Sequence, residues 1–233
     1  GSSDATYVDA PGSSRIRRNV VSTLSRPLAI ALLAGTLLLG AGAALHPILP
    51  HDPSAQLRLI AATWYFRPIH LAMLAGSGLI IAGVWTRAVT GGQEVSVPLV
   101  GALAIVCLGF CFNAIDIAFM AGAGTNMAVL FESGRAEMAA LFDALHRVGL
   151  MTARFGNFLV ALGALLLGWL ERRDPASPRW LAWLAWLAAA GGLVGVLLFP
   201  EASLAMLAAV TLLSGWQVAT AVRSLRAPRG AAV

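Results

Sequence analysis

The stretch from Arg135 to Arg173 constrains this chain more than any other. It contains no proline, opens amphipathically, and then runs apolar from Val148 to Leu170. About 23 residues at about 1.5 Å each suffice to cross a bilayer core of about 30 Å. Yet Arg154 and Asn157 lie inside the apolar run. On a helix, Asp143, His146, Leu150, Arg154 and Asn157 follow at spacings of three or four, so they share one broad face. A charge inside a membrane is costly and normally faces the bundle interior with a partner. The spacing therefore predicts a membrane-crossing helix with an interrupted polar face. It locates a site without naming its chemistry.

Composition places the rest of the chain in the same solvent. Only 12% of the 233 residues are charged, against about 25% in a soluble domain. The apolar residues come in runs, which argues for a polytopic α-helical membrane protein in one bundle. The short alternating segments of a membrane β-barrel are absent. All sixteen basic residues are arginine; with the Ala, Gly, Leu and Val richness this points to a GC-rich bacterial genome and the bacterial inner membrane. The arginines sit mostly at helix ends, where orientation and lipid headgroups account for them. The expected partner is therefore the lipid bilayer, not nucleic acid.

Residues 1–26 read as a flexible polar and basic segment, and 224–233 as a basic tail. Between them, 27–223 divide into six spans at about 27–49, 68–89, 97–122, 148–170, 180–199 and 202–222. Pro27 suits a helix start, and Pro47, Pro50 and Pro53 end the first span. Leu57, Ile60, Ala61 and Trp64 recur at helical spacing, which predicts a short interfacial helix between the first two spans. Gly91-Gly-Gln-Glu94 and Pro200-Glu201 read as turns, and 123–134 as a glycine-containing loop. Six spans put both termini on one side. Assigning that side to the cytoplasm gives it eleven arginines against five, which predicts both termini inside.

This topology brings all four histidines to the outer side. His46 and His51 end the first span, His70 opens the second, and His146 precedes the fourth. Three chemistries follow from it. A b-type haem would take His70 and His146 as axial ligands from two helices. A transition metal would take His46, His51 and Asp116. A small anionic ligand would use the guanidinium fork of Arg154 beside Asn157. Asn113 and Asp143 are further ligand or ion-pair candidates, Asn113 completing the hydrogen bonds of Asp116, and Asp143 lying beside His146. Asp116 and Arg154 also read as an ion pair joining the third and fourth spans. Each histidine has a plainer reading as a solvated or hydrogen-bonded residue. No local metal motif such as HExxH is present.

The other conspicuous residues read more simply. Cys107 and Cys111, four apart, share a helix face and serve as small packing residues. Trp180, Trp183 and Trp186 read as an aromatic belt. The Gly191–Gly195 pattern permits close helix contact, within the bundle or with partner subunits of a larger membrane complex. A carrier and a non-catalytic accessory subunit remain the alternative functions.

Overall fold

The computed structural model describes residues 13–90, 95–175, 177–199 and 204–226. The turns expected at 91–94 and at Pro200-Glu201, the chain start and the last seven residues lie outside these. Among the described residues the fold is entirely helical. In chain order the helices are α1 Ser13–Leu45, α2 Pro53–Ala62, α3 Phe66–Gly83, α4 Thr86–Thr90, α5 Val97–Phe119, α6 Thr125–Glu132, α7 Met138–Arg173, α8 Arg179–Leu198 and α9 Leu204–Arg226. Among the described residues, five stretches are long and apolar enough to cross a membrane: Leu24–Leu45, Phe66–Val89, Val97–Glu132, Met138–Arg173 and Arg179–Leu198. The chain is thus a polytopic helical membrane protein.

Three details differ from the sequence reading. The first helix begins at Ser13, so Pro27 lies inside it rather than at its start. Residues 125–132, expected in a loop, form α6, and a π-helical turn at Met120–Gly124 joins it to α5. The Thr125 hydroxyl lies 2.7 Å from the Ala121 carbonyl and 3.0 Å from that of Gly122, so the glycines continue the helix instead of ending it. The amphipathic helix α2 turns Leu57 and Ile60 onto α6 and α7, a protein surface, and leaves Ala61 and Trp64 exposed.

The six long helices close a ring in the order α1, α3, α5, α7, α8, α9, with α9 returning to α1. Its interior is filled by apolar side chains from all six, among them Leu32, Ile80, Leu103, Val160, Leu181 and Trp216. A second, smaller cluster caps one end: Leu57, Ile60, Phe66, Met120, Ala128 and Phe142. The short α4 closes the opposite end against α1 and α9.

The α5–α7 contact fixes the depth of the polar residues. Ala102, Val106, Gly109, Asn113 and Asp116 alternate at four and three along α5. On α7, Gly149, Gly156 and Gly163 recur every seven residues and face them in antiparallel order. Small residues at such a seam let the backbones approach closely. A Cβ on Gly156 would stand 2.5 Å from the Gly109 carbonyl oxygen, and neither backbone can yield there. Gly156→Ala is therefore expected to destabilise by about 1–3 kcal/mol. Gly78→Ala, where nothing lies within 4 Å, should be neutral or slightly stabilising. Thermal unfolding of both variants in detergent checks the contrast.

Candidate functional site

His46 follows the last residue of α1, and His70 lies in the second turn of α3. The His46 Nδ1 is 2.7 Å from the Pro47 carbonyl oxygen, and the His70 Nδ1 is 2.7 Å from that of Phe66. A carbonyl oxygen only accepts, so Nδ1 donates in both neutral rings and each Nε2 keeps its lone pair. The two rings meet edge to face with centroids 4.9 Å apart. Phe66 lies against both, at 5.4 and 4.3 Å. His70 is only 3% exposed. Burial holds the His46 imidazole below its ordinary pKa, partly offset by its bond to Pro47, so it is neutral near pH 7.

His146 projects from α7 to the same region, near enough that charge on it would be felt at His46 and His70. Its ring packs on Phe142 at 5.0 Å and Phe119 at 6.5 Å. Three of the four expected histidines thus converge. His51 does not. The Asp52 carboxylate accepts from the Ala55 N–H at 2.8 Å and caps α2, which leaves His51 exposed on the preceding turn.

Asp116 sits where Gly149 has no side chain, one helical turn beyond His146, and its Oδ1 is buried with no hydrogen-bond partner among the described residues. The expected pair between Asp116 and Arg154 is not formed. The Arg154 Nε donates to the Val196 carbonyl at 2.7 Å and Nη2 to that of Phe199 at 3.2 Å. The last carbonyls of a helix lack intrahelical donors, so the end of α8 is a natural acceptor for a guanidinium. The geometry of α7 explains the miss. Five residues separate 149 from 154, which places them about 140° apart around the helix. Asn157 does face α5, where its Oδ1 accepts from the Asn113 Nδ2 at 3.1 Å. Asp143 is paired at 3.0 Å with Arg147, outside this contact.

The other sets divide accordingly. The proposed metal set of His46, His51 and Asp116 is split by the exposed His51. Among the described residues no group of three or more His, Cys, Asp or Glu side chains is arranged to hold a metal ion. Both cysteines are free, and Cys111 is exposed on the outside of the bundle. In the Gly191–Gly195 stretch, Gly191 meets Leu212 of α9 and Gly192 meets Ala161 of α7.

A polar cluster at the opposite end escaped the sequence reading. Arg87 on α4 forms an ion pair with Glu171 on α7, with side chains 10% and 9% exposed. Its Nη2 donates to Thr220 Oγ1 on α9 at 3.3 Å, and its guanidinium lies 5.1 Å from the Trp216 ring centroid. The Thr86 hydroxyl donates to the Ser25 carbonyl on α1 at 3.2 Å. Both charged residues read as end-of-span markers in the sequence. The available signal was Glu171, an acid among the arginines that end the fourth span.

Comparison with known protein families, with curated proteins and with solved structures finds no match. The functional reading therefore rests on these two clusters alone.

Proposed function

We propose that this chain is a six-span inner-membrane protein, with both termini cytoplasmic, that binds a divalent transition-metal ion near the outer ends of α1, α3 and α7. The ring of six long helices and the arginine distribution support that orientation. One observation carries the metal reading. His46 and His70 hold their rings 4.9 Å apart, with both Nδ1–H groups anchored on backbone carbonyls and both Nε2 lone pairs available. Ligating histidines characteristically make such a second hydrogen bond, which fixes tautomer and ring orientation. Imidazole donors suit zinc, copper or nickel. His146 on α7 stands in the same region as a further imidazole, and water or an incoming ligand completes an open coordination shell beside His46 and His70.

A haem fits less well. The 4.9 Å ring spacing leaves no room for a macrocycle between His46 and His70. The rings of His70 and His146 are each packed on phenylalanines. An anion site at Arg154 is disfavoured by the bonds that tie its guanidinium to the end of α8.

Equilibrium dialysis of chelator-stripped protein against Zn²⁺, Cu²⁺ or Ni²⁺ tests the reading. One saturable ion per chain is expected, weakening only well below about pH 6.5, because burial holds the His46 imidazole under its ordinary pKa and protons compete for it later. His46→Ala and His70→Ala should each lose about tenfold or more in affinity, and His51→Ala should lose none. The absence of saturable binding, or equal losses for His51→Ala and His70→Ala, would overturn it.

A further inference from the structure

The Arg87–Glu171 cluster has a construction that a simple staple does not need. The pair joins three helices that are distant in sequence: α4, α7 and α9. Arg87 does not sit on the long helix α3. It sits on the five-residue α4, set off from α3 by a break at Val84–Trp85. The charged group is thus carried by a short segment distinct from α3, which is wedged against α1 where Gly83 meets Leu32; the segment itself is held to α1 by the Thr86 hydroxyl on the Ser25 carbonyl.

The cluster is also incompletely satisfied. Arg87 Nε, Glu171 Oε2 and Trp216 Nε1 are all sealed from solvent, and none has a hydrogen-bond partner among the described residues. A buried pair gains from its mutual attraction and loses the hydration of both ions. Here the loss is compounded by two donors and one acceptor left unmatched. Opening this end to water would satisfy all three atoms at once. The closed arrangement is therefore poised against a hydrated one. Other charges at this end include Arg26, Arg172, Arg173, Arg179 and Arg226, together with Arg223 on α9, felt at Arg87, and Asp174 after α7, felt at Arg223.

We propose that Arg87 and Glu171 form a latch that closes the bundle end opposite the histidines, and that its release admits water between α4, α7 and α9 toward Cys107. Cys107 is a native reporter: its thiol lies 3.7 Å from the Ile81 carbonyl, at the apolar core next inside the latch. The proposal is independent of the metal reading, because it concerns the other end of the bundle and its test involves no metal.

The test is thiol labelling in membrane vesicles of both orientations, on a Cys111→Ser background, with a membrane-impermeant methanethiosulfonate. In the parent, Cys107 should react slowly from either side. Glu171→Gln should accelerate the reaction about tenfold or more, and only from the face that carries Arg87. Arg87→Lys keeps the charge but loses the fork, so it should accelerate labelling by a smaller factor. It decides the matter if Glu171→Gln does not fold. Arg87→Met/Glu171→Leu should react as slowly as the parent, because an apolar plug replaces the latch. Parental rates in both Glu171→Gln and Arg87→Lys would overturn the proposal, as would acceleration from both faces alike.

Discussion

Truncating Glu171 to alanine should destabilise the protein by about 3–5 kcal/mol, because it strands Arg87 in the bundle without its counter-ion. Arg87 is 10% exposed and lies over Trp216, so water cannot replace the lost carboxylate without separating α4 from α9. Arg87→Ala should cost a similar amount by stranding Glu171. The double replacement Arg87→Met/Glu171→Leu should instead be near neutral, or stabilising by about 1–4 kcal/mol. It removes both desolvated charges together with the unmatched Arg87 Nε and Glu171 Oε2. Thermal unfolding of the four proteins completes a mutant cycle. Additive losses would mean that the two side chains do not act as a pair.

Phe142→Ala should be about as costly, at about 3–5 kcal/mol. The Phe142 ring is fully buried and joins the cap cluster to the site, with centroids 6.0 Å from Phe119 and 5.0 Å from His146. Its loss leaves a cavity under Leu57, Ile60 and Ala128, which seat α2 and α6. The effect should be local in origin. Hydrogen exchange should rise in α2 and α6 before it rises in α8, whose apolar residues belong to the other cluster. Uniform acceleration throughout the bundle would show that the two clusters unfold as one.

The membrane-spanning helices were legible because long apolar runs bounded by prolines and charges leave few alternatives. The convergence of His46, His70 and His146 was legible for a related reason: topology alone fixes which end of each span faces which side. What the residues did not disclose was rotation about each helix axis. Asn113 and Asn157 were singled out on separate helices and do meet. Asp116 and Arg154 were matched by depth and charge, yet the guanidinium faces α8 and the carboxylate faces Gly149. The Arg87–Glu171 pair was obscured by its position, since charges at the edge of a span are expected to mark the membrane boundary. The Gly149, Gly156, Gly163 repeat was visible in the residues, but its importance depended on knowing that α5 packs against it.

The π-helical turn at Met120–Gly124 divides one continuous rod into two parts with separate angular phase. A π turn accommodates one extra residue, so everything beyond it lags by about 100° relative to an uninterrupted α-helix. Before the turn, Asn113 and Asp116 keep step with α7; after it, fully buried Ala128 points into the cap. Insertions and deletions at this point therefore have an unusual meaning. Losing one residue here would restore a continuous α-helix and leave both the α5–α7 seam and the flank that α6 turns toward α2 in place. A residue can thus be gained or lost between the floor beneath the histidines and the roof above them without re-aiming either, although a single helix builds part of both.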